Sequence, residues 1–109
     1  MNKIKVEVSL FYANWCGHCI RFKPYWDEFV KNVSKKSNIV TNSYEDSDAK
    51  SISKLGIING KPIVGYPTIK ITVIYPNKNK KEIEYQGKHN SDDLMMCVKK
   101  LLNNSNCDN

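Results

Sequence analysis

Trp15-Cys16-Gly17-His18-Cys19, WCGHC in one-letter code, places two thiols three positions apart directly after a hydrophobic run. Cysteines at this spacing can hold a metal ion, form a structural disulfide or exchange electrons with other thiols. Before the motif, residues 4–12 alternate between apolar and polar and then become continuously apolar, which predicts a strand entering the middle of a sheet. After it, residues 17–35 carry apolar side chains at helical spacing. The motif is therefore expected at a strand-to-helix junction.

The start of a helix suits a reactive thiol. Unpaired backbone N–H groups and a partial positive charge are concentrated there. They stabilise a thiolate at Cys16, so the pKa of Cys16 should fall below that of an ordinary cysteine. Cys19 lies one turn further along the same helix face and should be more buried. The spacing predicts that Cys16 is the nucleophile and that Cys19 resolves a mixed disulfide formed at Cys16.

The other uses of the pair are less well supported. Structural zinc usually takes four ligands; a second C-x-x-C is absent, and Cys97 and Cys107 are distant in sequence. Haem attachment needs His after the second Cys, and Ile20 stands there. A structural disulfide across so short a loop gains little closure entropy. We expect no metal and no organic cofactor.

Composition limits the partners. The chain has 109 residues, enough for one domain, and a net charge of +6. Arg21 is the only arginine, and the lysines are scattered without interleaved aromatics, unlike a nucleic-acid surface. No apolar run approaches the length of a membrane span. We expect a monomer that binds neither nucleic acid nor membrane.

The first residues, MNKIKVEVSLFYA, read as a strand rather than a signal peptide because Lys5 and Glu7 interrupt the apolar stretch. The last residues, NSNCDN, are not an ER-retention signal. This pattern predicts a cytoplasmic protein. An ER lumen location, if the chain is an excised domain, and a virion, if it is viral, remain alternatives.

The remaining elements complete an α/β fold. The predicted order is strand, helix, strand, helix, hairpin, helix, with a mixed four-stranded sheet and helices on both faces. Residues 1–103 form the domain and residues 104–109 a polar flexible tail. The predicted elements after the first helix are a strand at 38–44, a helix at 49–55, a loop at 57–65, strands at 68–75 and 82–86, and a helix at 91–102.

Three segments of this chain resemble the thioredoxin superfamily, and most closely a single catalytic domain of protein disulfide isomerase. FYANWCGHC at residues 11–19 is similar to its active-site segment. Pro24 matches its helix-kinking proline, and GYPTIK at residues 65–70 matches its cis-proline segment. Tyr85-Gln86-Gly87 resembles a motif near its last strand. The resemblance implies a pared-down thioredoxin-like fold.

The resemblance also implies site residues. Pro67 should be cis and lie against the cysteine pair, leaving the backbone of Tyr66 free to pair with an extended substrate segment. Trp15 and Gly65 complete the implied substrate-binding set. Gly17 and His18, between the thiols, join the catalytic set, since a cation or dipole at His18 would stabilise the thiolate.

Stabilising the thiolate makes the disulfide more oxidising. The implied function is therefore a thiol–disulfide oxidoreductase that acts on protein disulfides or dithiols with an unidentified redox partner, favouring oxidation and isomerisation over reduction. Alternatives are a cytosolic thioredoxin-like or glutaredoxin-like reductase, although the glutaredoxin motif more typically reads C-P-Y-C, and a non-catalytic binding module.

The chain departs from the family pattern at several positions. Leu10 occupies the place of a buried acidic residue that moves protons to and from the second Cys. Ile20 stands where the family has Lys, and His89 where it has Arg. The family's usual first strand and helix are absent before the motif, which supports the pared-down fold.

An extra segment, residues 57–64, lies between Gly56 and Gly65. It either folds onto the core or offers a sticky partner surface, the binding-module alternative. Of the other cysteines, Cys97 is expected to be a buried apolar residue and Cys107 an incidentally exposed residue of the tail.

Overall fold

The structure is a computed structural model that describes residues 3–107. Its main sheet contains β1, β2, β5 and β6, and a separate hairpin contains β3 and β4. The strands are β1 (Lys5–Tyr12), β2 (Ile39–Glu45), β3 (Ile57–Ile58), β4 (Lys61–Pro62), β5 (Thr68–Ile74) and β6 (Lys80–Glu84). The helices are α1 (Gly17–Val33), α2 (Ala49–Leu55) and α3 (Ser91–Leu102).

The main sheet has the order β2-β1-β5-β6. β1 and β2 are parallel, as expected for strands joined through a helix. β1 pairs with β5 and β5 with β6 in antiparallel register. The predicted mixed four-stranded α/β sheet is confirmed. β1 is central, so its carboxyl end delivers the thiol motif to the middle of one sheet edge.

Alternation along β1 separates two faces of the sheet. Val6, Val8 and Leu10 belong to the main core together with side chains of α1 and α3. Each fully buried aliphatic or aromatic side chain of such a cluster contributes about 1.5–3 kcal/mol. On the opposite face, the ammonium of Lys70 donates to the carbonyl of Leu55 at the end of α2. Helices therefore cover both faces, but the seven described residues of α2 include none that is buried.

Some predicted boundaries and one predicted loop are wrong. α1 ends at Val33, two residues before the predicted end, and β6 begins and ends two residues early. The loop at 57–65 contains the β3–β4 hairpin, whose turn residues Asn59 and Gly60 have φ of 51° and 81°. Asn-Gly tolerates positive φ at both central positions of a two-residue turn, which matches the twist of the flanking strands.

Cys97 is buried in the core, as expected, but the expectation that Cys107 is an incidentally exposed residue is wrong, because it forms a disulfide with Cys97. After α3 the chain turns back at Asn104, whose φ is 58°. The N–H of Ser105 donates to the carbonyl of Lys100 and that of Asn104 to Leu101, the pattern of a Schellman motif. This turn directs the tail back along α3, so Cys107 packs against the core instead of lying in solvent.

Among residues 3–107, no helix combines the length and the apolar character that crossing a bilayer requires.

Candidate active site

Cys16 lies at the junction between β1 and α1, as predicted. Its backbone is extended, with φ −91° and ψ 117°, and it is the N-cap of α1. Its N–H donates to the carbonyl of Ala13 over 3.2 Å, which holds the turn. Its Sγ accepts the backbone N–H of Cys19 over 3.3 Å. The sulfur therefore takes the place that a Ser or Asp oxygen occupies at an ordinary helix start.

The two thiols are free and have different acidities. The pKa of Cys16 is lowered, first by a hydrogen bond from the Cys19 thiol, then by backbone N–H groups of Cys19 and His18 and by the charge of Arg21. Burial, followed by the hydrogen bond that Cys19 donates to Cys16, raises the pKa of Cys19 to about 11. When the pair loses its first proton, the negative charge therefore lies on Cys16.

The cis-proline segment closes over the pair. The Tyr66–Pro67 peptide bond is cis, as the resemblance implied. The Cys16 thiol donates to the carbonyl of Tyr66 across 3.5 Å, and the Tyr66 side chain packs against the cluster that contains both cysteines. A Cβ added to Gly65 would meet no atom within 4 Å, so the space beside that residue is open.

Asp46, which the sequence did not indicate as a site residue, lies at the rim of the site. Its carboxylate accepts the indole N–H of Trp15 and the hydroxyl of Tyr66, each over 3.0 Å. The Trp15 and Tyr66 rings meet edge to face, with centroids 6.0 Å apart. The helix cap itself is Asp48, which accepts the N–H of Ser51. Asp46 follows β2, the parallel neighbour of β1, and that position could have indicated its place beside Trp15.

A cation or dipole was expected at His18. The charge that acts on Cys16 belongs instead to Arg21, which the sequence did not indicate as a site residue. An Nη2 of Arg21 lies 3.0 Å from Nδ1 of His18. A guanidinium can only donate, so this nitrogen accepts and carries no proton. His18 therefore contributes to the thiolate through its backbone N–H, whereas Arg21 contributes the charge. Gly17 lies next to this cation, because a Cβ added to Gly17 would stand 3.5 Å from the Arg21 guanidinium.

The departures from the family pattern have structural counterparts. Leu10 is fully buried in the main core, so an apolar side chain fills that position. His89 lies against Phe22, with ring centroids 5.2 Å apart, and its pKa is lowered by burial and by the nearby His18. Ile20 is solvent-exposed beside the motif.

Comparison with known proteins places this arrangement in a family. The thioredoxin family model matches residues 2–100. Protein disulfide-isomerase of Saccharomyces cerevisiae is 34% identical over 96 residues, which are 87% of this chain and 17% of that protein. Protein disulfide-isomerase 1 of Caenorhabditis elegans is 27% identical over 100 residues, 92% of this chain and 19% of that protein. The chain thus spans less than a fifth of the length of these relatives.

Solved structures agree. The Trx4 domain of ERdj5 superposes with a TM-score of 0.72 at 20% identity, covering 92% of this chain and 82% of that one. The first thioredoxin domain of mouse protein disulfide-isomerase A4 superposes with a TM-score of 0.62 at 25% identity, covering 89% and 63%. The sequence match, the sheet order and the thiol pair at the start of α1 agree, and the chain belongs to the thioredoxin family.

Proposed function

We propose that this chain is a thiol–disulfide oxidoreductase of the protein disulfide isomerase type, acting on protein disulfides and dithiols. The observation that carries the proposal is that, within one C-x-x-C pair, the pKa of Cys16 is lowered and the pKa of Cys19 is raised. Cys16 is acidic at the helix start, and Cys19, 4% exposed, is held as a neutral thiol beneath it. An attacking group and a resolving group are thereby distinguished before substrate arrives.

The proposed reduction of a substrate disulfide begins with attack by the Cys16 thiolate. Its sulfur bonds to one substrate sulfur, and the other leaves with the electron pair and takes a proton. Cys19 then loses its proton and attacks Cys16, which forms the Cys16–Cys19 disulfide and releases the second substrate thiol. The substrate gains two electrons and the pair loses two. Oxidation of a substrate dithiol is the reverse sequence.

The substrate is proposed to lie along the cis-proline segment. Tyr66 and Pro67 border the thiols, and an extended peptide can pair there with backbone groups of Tyr66. Trp15, 71% exposed, and the exposed Ile20 offer further apolar surface near Cys16. Gly65 leaves room for a substrate side chain. Such a site accepts many sequences, as a protein-folding enzyme must.

The proposed direction is oxidation and isomerisation rather than reduction. Every contact that lowers the pKa of Cys16 stabilises the reduced pair, and a stabilised dithiol makes its disulfide a stronger oxidant. The names of the relatives agree with this direction. The cellular compartment and the redox partner stay predictions, as does the monomeric state.

The direct test is refolding of a scrambled, disulfide-bonded protein by this chain. Cys16→Ser should abolish activity, because the remaining thiol of the pair, Cys19, is buried and its pKa is raised. Cys19→Ser should keep the attack and accumulate a mixed disulfide with substrate, visible on non-reducing gels. Ser37→Ala, a change at an exposed residue away from the site, serves as the control. Full activity in the Cys16→Ser variant would overturn the proposal and favour a binding module.

A further inference from the structure

A cavity of about 430 Å³ lies at the other cysteine pair. Its walls come from the segment after β6, from one side of α3 and from the returning tail. Its size falls within the range of pockets that hold small ligands. The lining includes both sulfur-bearing residues, so a molecule in this cavity touches the Cys97–Cys107 disulfide.

The charge of the cavity wall is positive. Lys88 and Lys100 contribute ammonium groups, and within residues 3–107 neither of these groups forms an ion pair. Asp93 is the opposing carboxylate, but it accepts the side-chain amide of Asn90 and lies in the first turn of α3. There the positive end of the helix offsets its charge. The wall therefore favours an anionic guest.

The two sulfurs of this disulfide differ in access. Cys97 is 4% exposed and belongs to the main core. Cys107 lies at the edge of that core and is only half-buried. Thiol–disulfide exchange requires the attacking sulfur to approach in line with the S–S bond. Attack from the cavity is therefore directed at Cys107, with Cys97 as the leaving sulfur.

The surroundings allow this bond to open without loss of the fold. The disulfide joins residues only ten positions apart. The end of α3 is held independently by the Schellman turn at Asn104 and Ser105. Cys97 stays packed between Leu94 and Leu101 on the buried face of α3. Opening the bond releases the tail and leaves the helix in place.

We propose that Cys97–Cys107 is a second thiol–disulfide exchange site, opened through this cavity by a small anionic thiol of the glutathione class. The thiolate of the small molecule attacks Cys107, forms a mixed disulfide there and releases Cys97 as a thiolate, which takes a proton. A second small thiolate then attacks the small-molecule sulfur of the mixed disulfide, forms the oxidised dimer and releases Cys107 as a thiolate, which takes a proton. The protein gains two electrons, and two molecules of the small thiol lose one each.

The test uses the full chain carrying Cys16→Ser and Cys19→Ser, which removes the other pair and makes the result independent of the proposed isomerase function. The oxidised protein is mixed with reduced glutathione or with the neutral thiol 2-mercaptoethanol. Mass spectrometry with peptide mapping follows the adduct and the rate. Lys88→Gln with Lys100→Gln should slow the reaction with glutathione by about 3–10-fold and that with 2-mercaptoethanol by less than about 2-fold.

Asp93→Asn provides the matched change of opposite sign, since it keeps a side-chain oxygen that can accept the Asn90 amide while removing the negative charge. It should speed the reaction with glutathione by about 2-fold and leave the neutral thiol unaffected. An adduct on Cys107 supports the proposal. Equal effects on both thiols, an adduct on Cys97, or no reduction by glutathione while circular dichroism shows a folded chain would each overturn it.

Discussion

The two cysteine pairs of this chain differ in position and in state, although three of the four cysteines are similarly buried. Cys16, Cys19 and Cys97 are 8%, 4% and 4% exposed. The first pair is free at the start of α1, where backbone N–H groups lower the pKa of Cys16. The second joins the middle of α3 to the tail as a disulfide. Position on a helix, more than burial, decides which thiol becomes a nucleophile.

A second difference lies in what surrounds each pair. The first pair is bordered by a cis-proline segment, an exposed indole and the carboxylate that links them. The second borders a cavity whose wall carries the ammonium groups of Lys88 and Lys100. The first surrounding suits an extended polypeptide, and the second suits a small anion. The following predictions change one pair or its surroundings at a time.

The largest effect is expected within the first pair. With the Cys19 pKa at about 11 and the Cys16 pKa below its ordinary value, the thiolate fraction at pH 7 differs by at least about 100-fold. Iodoacetamide should therefore alkylate Cys16 at least about 100 times faster than Cys19, measured by peptide mass mapping. As pH rises, the Cys16 rate should level off first while the Cys19 rate still increases. Similar rates at pH 7 would remove the distinction between attacker and resolver.

Leu10→Glu tests the missing proton acceptor. A carboxylate at this position should help Cys19 lose its proton and speed the resolving step about tenfold, measured by single-turnover quenching. Burying the acid should also lower the free energy of unfolding by about 2–5 kcal/mol, because Leu10 lies wholly within the core. Leu10→Gln, which is polar but cannot accept a proton in the same way, is the control. An unchanged resolving rate in a folded Glu variant would count against this role.

Removing the Cys97–Cys107 disulfide should lower the free energy of unfolding and leave the reactivity of Cys16 unchanged. Cys97→Ala with Cys107→Ala should lower the free energy of unfolding by about 2–3 kcal/mol, because a short closed loop is lost. Denaturant melts of the variant and of the oxidised parent measure this. The alkylation rate of Cys16 should stay within about 2-fold of the parent. A large fall in that rate would show that the two pairs are coupled.

Asp46→Ala should release both rings at the rim of the first site, since the carboxylate holds Trp15 and Tyr66 together. Refolding activity should fall about 3–10-fold, whereas Cys16 alkylation by a small reagent should change less than about 2-fold. Asp46→Asn keeps an acceptor oxygen and should recover most of the activity. Equal losses in both assays would indicate general disruption of the site instead of a role in holding the substrate surface.

The smallest effect is expected for Arg21→Gln. The charge of this residue lowers the pKa of Cys16 less than the hydrogen bonds to the Cys16 sulfur do. Its removal should raise that pKa slightly and slow alkylation at pH 7 by about 2-fold, with a smaller effect at high salt because the interaction is screened. Lys23→Gln, two residues further along α1 and paired with Asp27, is the charge-matched control. A tenfold slower alkylation would mean that the charge of Arg21, and not the start of α1, is the main cause of the lowered Cys16 pKa.

The sheet and the main helices could be predicted because hydrophobic spacing is a local signal. The strand pattern before Cys16 and the helical pattern after it identify the junction without any distant contact. The hairpin turn at Asn59 and Gly60 was also a local signal, but the apolar residues around it suggested a loop or a partner surface. The role of the segment as a partner surface stays a prediction, with Val64 fully exposed and Ile58 buried.

Two features could not be predicted from local patterns. Asp46 reaches Trp15 across 31 positions and Tyr66 across 20, so its role depends on how the strands are paired. The Cys97–Cys107 disulfide depends on the direction of the chain after α3. That direction is set by the left-handed conformation of Asn104, which composition alone does not reveal.

The disulfide form of the Cys16–Cys19 pair is expected to be a strong oxidant. This expectation is tested most directly by equilibrating the Cys97→Ala, Cys107→Ala chain with glutathione redox buffers and quantifying the reduced pair after acid quenching. A helix-start thiolate stabilised as described predicts a potential near about −180 mV, the value typical of protein disulfide isomerase. A potential near about −270 mV, the value typical of thioredoxin, would contradict the account.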